Sequence, residues 1–164
     1  MSFSVKGWCP GALRPMRSGD GLVVRVRPRC GRLTAAEVQA IAALADRHGN
    51  GLIDLTGRAN LQLRGLDEAG HARALEALGA LGLLDPTPEA EARRNVMLSP
   101  FAPQGGPAWQ QAEALARLLG AEDAPALPAK FGFAVDDPVP VLAQAACDIR
   151  LIPGPQGWCC HPEG

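Results

Sequence analysis

Apolar and polar residues alternate in the first half of the chain in a way that predicts three strands and two helices. A period of two predicts strands over residues 21–27, 52–55 and 60–64. Helical spacing follows a capping box at Thr34 and begins again after Asp67. The resulting β-α-β-β-α order over about 65 residues is typical of a ferredoxin-like half-domain. A fourth strand is expected nearby, although the sequence does not mark it and residues 1–20 look irregular.

The second half of the chain is less regular and predicts a second, incomplete unit. The Pro-rich start of residues 85–94 indicates a linker between a domain at 1–84 and a part-domain at 95–164. The elements predicted beyond it are an apolar segment at 95–98, a helix at 108–119, and strands at 131–135 and 148–152. We therefore predict an α+β protein: a ferredoxin-like half-domain followed by the start of an α/β domain.

Composition excludes several classes of protein. Hydrophobic residues make up 47% and charged residues 20%, which is ordinary for a globular chain and argues against intrinsic disorder. With a net charge of -1, the chain is not a basic coat for nucleic acid. It has neither an apolar run of the roughly 18–20 residues that a membrane span needs nor a signal-peptide core at its start. We expect a soluble, cytoplasmic protein without a membrane or nucleic-acid partner.

The charge is distributed unevenly. Residues 1–66 hold ten Lys/Arg and four Asp/Glu, a net charge of +6, whereas residues 67–164 have a net charge of -7. Of the 16 basic residues, 14 are Arg. A GC-rich genome explains the Arg/Lys ratio but not the crowding of Arg into the first half. Arg binds carboxylates and phosphates through a planar pair of donors, so the basic half favours an anionic ligand.

The five cysteines favour neither a disulfide framework nor a metal site. An odd number of Cys in a cytoplasmic chain argues against disulfides, and none of the spacings is typical of zinc. Cys159-Cys160-His161 resembles a ligand cluster, but adjacent cysteines rarely bind one metal. We interpret these residues as unligated and predict no metal ligands in the chain.

Candidate ligand-binding residues follow the third predicted strand. Alternation places Asn60, Gln62 and Arg64 on one face, and Arg58 has the same parity where the strand begins. These donors would form a row on a rigid support. Spacing alone leaves a solvated sheet face as the alternative.

Three segments in this order resemble the sirohaem-dependent sulfite and nitrite reductases. Thr56-Gly57-Arg58-Ala59-Asn60-Leu61-Gln62 is similar to their Thr-x-Arg-x-x-x-Gln stretch. Arg93-Arg94-Asn95-Val96 and Leu127-Pro128-Ala129-Lys130-Phe131 are similar to two further segments of that family. Cys9-Pro10-Gly11 and the Pro15–Gly21 stretch resemble its precorrin-3B synthase branch, which acts in aerobic cobalamin biosynthesis.

The resemblance implies a fold, a ligand and site residues. Family members have two pseudo-symmetric halves, each with a ferredoxin-like half-domain and a cofactor domain. Arg58, Arg94 and Lys130 match the basic residues that face the tetrapyrrole, so the resemblance implies that they are catalytic. The tetrapyrrole would be sirohaem in a reductase, or the substrate precorrin-3A in the synthase branch. The synthase reaction would be an O2-dependent hydroxylation with lactone formation.

The sequence also departs from the family pattern. The reductases have a second Lys where this chain has Gly132, which argues against sulfite reduction. The family holds a [4Fe-4S] cluster with Cys-x5-Cys and Cys-x3-Cys pairs, and this chain has neither spacing. We expect those ligands to lie outside the chain, which would then be inactive alone. A fragment of a sulfite or nitrite reductase and a non-catalytic α+β pairing module are the alternatives.

Further predictions concern binding and assembly. Arg25, Arg27 and Arg64 are candidate carboxylate clamps together with Asn60 and Gln62. For Arg25 and Arg27, a solvated or partner-facing strand face is an equally good interpretation. Arg58, Arg94 and Lys130 are expected to converge on one concave surface. The partner is expected to be an anionic tetrapyrrole, together with the missing C-terminal half or a homodimer mate that covers an apolar sheet face.

Overall fold

A computed structural model describes residues 9–128 and 130–163 of the chain. Two four-stranded sheets, each with its own core, follow one another along the sequence. The strands are β1 Met16–Ser18, β2 Gly21–Val26, β3 Ile53–Leu55, β4 Leu61–Leu66, β5 Val96–Leu98, β6 Phe133–Val135, β7 Ile149–Gly154 and β8 Gly157–Pro162. The α-helices are α1 Ala35–His48, α2 Glu68–Ala80, α3 Pro88–Arg93 and α4 Pro107–Leu119, and Arg29–Gly31 form a turn of 3-10 helix.

The first sheet has the predicted β-α-β-β-α order, with an added strand at one edge. Its strand order is β1-β2-β4-β3, and all neighbouring strands are antiparallel. The fourth strand of the sheet is β1, which precedes the other three. The prediction that residues 1–20 are irregular was therefore wrong at Met16–Ser18, because three residues are too few to show an alternating pattern.

Both helices of this unit begin at the predicted caps. The Thr34 hydroxyl accepts a hydrogen bond from Glu37 N at 3.2 Å, and Glu37 Oε2 accepts one from Thr34 N at 2.6 Å. The hydrogen bond from the Thr34 backbone lowers the pKa of Glu37. At the start of α2, the Asp67 side chain accepts from Gly70 N at 2.6 Å.

Apolar residues from the sheet and the two helices form the first core. Leu63 and Val24 have no exposed surface, and Leu78 of α2 packs against the same cluster. The remaining buried members are Ala12, Leu22, Val26, Ile41, Leu44, Ala45, Leu66, Ala74 and Leu83.

The second sheet is mostly parallel. The strands β5, β6 and β7 run parallel in that order, and β8 forms an antiparallel hairpin with β7. The helix α4 supplies the crossover from β5 to β6 and packs Ala108 and Ala112 into a smaller core. The strand β8 was not predicted. It contains Cys159 and Cys160, which as adjacent strand residues point to opposite faces of the sheet.

The segment predicted as a linker is partly helical and packed. Within residues 85–94 the helix α3 is capped by Thr87, whose side chain accepts from Ala90 N at 3.1 Å. Ala90 and Glu91 are buried. No helix in the described residues is long and apolar enough to cross a membrane.

The face of the first sheet opposite the two helices carries polar side chains. Arg25, Gln62 and Arg64 lie there, and Arg64 pairs with Asp20 at 3.3 Å and with Asp54 at 3.4 Å. An apolar sheet face without cover stays a prediction. Because side chains alternate along β4, its apolar residues lie on the face of the sheet that packs against the two helices.

Homodimer formation stays a prediction that sedimentation can test. The exposed apolar residues of the first unit include Val38, Leu52 and Leu55, near the outer edge of β3. We expect a dimer at micromolar concentration, because an edge strand leaves backbone donors and acceptors unpaired. A single monomeric species at that concentration would contradict the prediction.

Amide hydrogen exchange should show different degrees of protection in the two units. Twelve buried residues form the first core and six the second, so opening the first unit exposes more apolar surface. We expect the amides of β2 and β4 to exchange more slowly than those of β5, β6 and β7. Equal protection in both sheets, measured residue by residue, would show that the units open together.

Candidate functional site

A cavity of about 340 Å³ lies where the first unit meets α3 and the segment before β6. Its lining includes six cationic side chains and only two acidic ones, Glu89 and Glu91. The cationic residues are Arg14, Arg25, Arg27, Arg58, Arg93 and Lys130. We call this space the cationic cavity. Of the three residues expected to converge, it contains Arg58 and Lys130 but not Arg94.

Arg25 is oriented by its neighbour on β4. The Gln62 side-chain amide is oriented so that its oxygen faces donors and its nitrogen faces acceptors. In this orientation Gln62 Oε1 accepts from Arg25 Nη2 at 2.7 Å and from Arg25 Nε at 3.2 Å. The two residues are paired across the antiparallel β2–β4 ladder. Gln62 thus positions Arg25, which lines the cavity while Gln62 does not.

Arg58 projects from a tight turn between β3 and β4. The Thr56 hydroxyl accepts from Asn60 N at 3.2 Å, and Thr56 N donates to Asn60 O at 2.9 Å. Ala59 completes the turn with a φ of 53°. Among the described residues, the Arg58 guanidinium has no hydrogen-bond partner, so it can bind an anion without first breaking a bond.

Lys130 reaches the cavity from a second turn. Phe131 N donates to Pro128 O at 3.1 Å, and Lys130 has a φ of 73°, in the left-handed region that a lysine seldom adopts. The side chain is exposed. Its placement at the cavity mouth suits contact with a carboxylate, and such strained backbone is concentrated at ligand sites.

Arg27 lies deeper and is already paired. It is 6% exposed, and its Nη1 lies 3.3 Å from Glu91 Oε1. Burial lowers the pKa of the Arg27 guanidinium, while Glu91 opposes that shift. The group stays charged because arginine does not lose its proton in proteins. Its Nε is buried without a partner among the described residues.

The expectation that Arg94 faces the shared surface was wrong. Arg94 is 5% exposed and binds Asp85 through two hydrogen bonds, of 2.7 Å from Nε and 2.8 Å from Nη2. It also donates to Arg27 O at 3.1 Å. The reason is its place at the end of α3, where it points into the protein. The preceding residue, Arg93, lines the cavity but caps α4 by donating to Leu119 O at 2.9 Å.

Two more predicted ligand residues lie away from the cationic cavity. Arg64 is held by Asp20 and Asp54, as described above. Asn60 lines a separate apolar groove of about 540 Å³ between α1 and β3. Its Nδ2 is buried without a partner in the part of the chain that the structure describes. The strand begins only at Leu61, so alternation does not govern the Asn60 side chain.

Sequence reasoning missed several residues of the cavity. Arg14, Arg93, Glu89 and Glu91 were not assigned to a site, and Cys9-Pro10-Gly11 was noted only as a resemblance. Clustering of Arg in the first half was a weak signal for Arg14. Nothing in the sequence pattern marks Glu91, because its partners lie up to 79 residues away.

No metal centre is assembled in residues 9–128 and 130–163. Groups of three or more His, Cys, Asp or Glu side chains that could hold an ion do not occur there. Cys30 is buried in the second core, where burial raises the pKa of its thiol. The donors present in this region therefore do not fit an iron–sulfur cluster.

Comparison with known proteins identifies the class of the first unit. Residues 14–81 match the model of the nitrite/sulfite reductase ferredoxin-like half domain, and they contain β1, β2, α1, β3, β4 and α2. The predicted α+β fold class is confirmed, and residues 14–81 resemble this half domain, as the family resemblance implied.

The chain is also similar to an individual protein. The chain is 51% identical over 74 residues to a precorrin-3B synthase from Sinorhizobium sp. The aligned stretch covers 45% of this chain and 16% of the relative. The match therefore spans about a sixth of that protein's length.

Arg94 should be tested as a structural residue. We expect Arg94→Ala to lower the free energy of unfolding by about 3–5 kcal/mol, because it leaves Asp85 buried without its partner. Urea denaturation measures the loss. The exposed Arg117 is a matched control, and Arg117→Ala should change stability by less than about 0.5 kcal/mol. Equal stability of the two variants would contradict a buried role for Arg94.

Proposed function

We propose that the chain is part of a precorrin-3B synthase-like oxidoreductase and binds the carboxylate side chains of a tetrapyrrole in the cationic cavity. The observation that carries the proposal is the convergence of Arg25, Arg58 and Lys130 on one cavity within a chain that resembles this synthase. The complete enzyme would hydroxylate precorrin-3A with O2 and form a lactone from an acetate side chain.

The chemistry of the cavity supports an anionic ligand. Early corrin precursors carry acetate and propionate groups, and Arg supplies a pair of donors in a geometry that matches a carboxylate. Each charge-assisted hydrogen bond contributes roughly 1.5–3 kcal/mol before the costs of ordering and desolvation. Several such bonds support micromolar binding.

The size of the cavity limits what it encloses. A volume of about 340 Å³ is near the lower end of the range for small-molecule pockets. The proposal therefore places the carboxylate-bearing edge of the macrocycle inside and the rest outside. The other surface of the ligand would contact the remainder of the enzyme or a second copy of this chain.

The residues of this chain would bind and orient the ligand. Arg25, which is oriented by Gln62, would bind one carboxylate, and Arg58 would bind another. Lys130 Nζ would bind at the mouth and is the candidate for proton transfer. A [4Fe-4S] cluster or sirohaem, where the complete enzyme uses one, would need ligands beyond the donors described here.

A fragment of a sulfite or nitrite reductase is the second candidate, and one contact counts against it. A Cβ on Gly132 would lie 2.9 Å from Asn95 Nδ2, so Asn95 would have to move before a lysine fits there. A second lysine at this position would therefore require the Asn95 side chain, which donates to Phe131 O, to shift. A non-catalytic pairing module is the third candidate, and it has no need of the cation cluster.

Arg58→Ala should weaken tetrapyrrole binding by about ten- to hundredfold, because one charge-assisted hydrogen bond to a carboxylate is lost. The measurement is an absorbance titration with an octacarboxylate porphyrin at two salt concentrations. Arg117→Ala is the control, since Arg117 is exposed on α4 and outside the cavity. Binding should also weaken as salt increases.

The titration discriminates between the candidates. Equal affinity of Arg58→Ala and Arg117→Ala for the porphyrin would overturn the site assignment. Failure of the unaltered chain to bind would favour the pairing module. Turnover of precorrin-3A under O2, assayed with and without the remainder of the enzyme, tests the proposed reaction.

A further inference from the structure

Glu91 is a buried carboxylate in the short helix α3. Only 4% of its surface is exposed. A buried carboxylate is stable only where hydrogen-bond donors and a positive charge surround it. Ala12 N donates to Oε1 at 2.5 Å and Leu13 N donates to Oε2 at 3.1 Å. Arg27 Nη1 provides the positive charge at 3.3 Å. Both oxygens are therefore occupied by the protein itself.

Gly11 allows this close approach. A Cβ at position 11 would overlap the carboxyl group of Glu91, so only glycine lets the backbone of this segment lie against it. The contact explains why a glycine stands at this position, next to two residues that line the cationic cavity, Cys9 and Pro10.

The segment held by Glu91 forms one wall of the cationic cavity. Its other hydrogen bonds join it to the first unit: Gly11 O accepts from Arg25 N at 3.1 Å, and Ala12 O contacts His71 Nε2 at 2.8 Å. On the side of α3, the described hydrogen bonds of residues 11–13 go to the Glu91 carboxylate.

We propose that Glu91 is a positioning residue of the cationic cavity. Its carboxylate fixes the 9–13 segment as a wall beside Arg25 and holds the Arg27 guanidinium beneath that wall. Because both of its oxygens are already bonded to the protein, it acts through these groups. The proposal rests on the proposed function only as far as ligand affinity is concerned, because the position of the wall can be measured without a ligand.

The second unit contains a matched control. Asp136 has no exposed surface, and its carboxylate accepts from Asp137 N, Val141 N and Leu142 N at 3.1, 3.2 and 2.9 Å. Like Glu91, it is a buried carboxylate that accepts from the backbone of a loop, and it lies outside the lining of the cavity. A half-buried cysteine reports on each segment. Cys9 lies in the segment that Glu91 binds, and Cys147 follows the loop that Asp136 binds.

The test compares Glu91→Gln with Asp136→Asn in the full chain. Iodoacetamide labelling followed by mass spectrometry gives the alkylation rate of each cysteine under native conditions. Glu91→Gln should raise the rate at Cys9 by about tenfold, as expected when a local opening loses one or two hydrogen bonds. Asp136→Asn should raise the rate at Cys147 instead. Cys30 is buried in the second core, so it reports opening of that core and should not change.

Several outcomes would overturn the proposal. These are an unchanged rate at Cys9 in Glu91→Gln, a parallel rise at Cys30 and Cys147, or an equal rise at Cys9 in Asp136→Asn. If Glu91→Gln does not fold, Gly11→Ala displaces the wall from the other side and must give the same selective rise at Cys9. If both single variants fold, the double variant should be non-additive, since both changes act on one contact.

Porphyrin binding adds a second measurement. Glu91→Gln should weaken binding of the octacarboxylate porphyrin by about tenfold while Asp136→Asn leaves it unchanged, because only the first variant moves the cavity wall. Equal affinity of Glu91→Gln and the unaltered chain would overturn the positioning role. If the unaltered chain does not bind the porphyrin, the proposed function fails, and the thiol rates still decide the role of Glu91.

Discussion

Two buried ion pairs at the junction of the two units hold the structure together. Arg27 pairs with Glu91, and Arg94 pairs with Asp85. All four side chains are at most 8% exposed. They are also connected to each other, because Arg94 donates to the backbone carbonyl of Arg27. Removing a single partner would leave a charge buried without compensation, which is far more costly than losing a pair at the surface.

The arrangement of the cations that line the cavity depends on this junction. The ion pairs fix the end of β2 against α3, and this contact brings together residues from distant parts of the sequence. The side chain of Arg25 projects from β2, that of Arg58 from the β3–β4 turn, and that of Lys130 from the turn before β6. The cavity exists only where these three elements meet. Arg27 and Arg93 of the lining are bonded to other parts of the protein, whereas Arg25, Arg58 and Lys130 are the cations that we propose for the anion.

The sequence predicted the first unit well because its signals are local. A capping box, an Asp cap and strict alternation each involve residues a few positions apart, and the structure has the corresponding helices and strands. The same reasoning missed β1 and β8. One strand has three residues, and the other exists because it pairs with β7 in a hairpin. Strands of this kind are decided by their partners more than by their own pattern.

For the site, the sequence determined which residue types are present, and tertiary structure decided which of them share a surface. Arginine in the first half and the family-like segments indicated an anion site containing Arg58 and Lys130. They did not distinguish Arg93 from Arg94, although one lines the cavity and the other is buried on Asp85. Nor did they mark Glu91, whose donors lie 78 and 79 residues away. A local pattern reports the face of an element, whereas the partner that a buried charge finds depends on how distant elements pack.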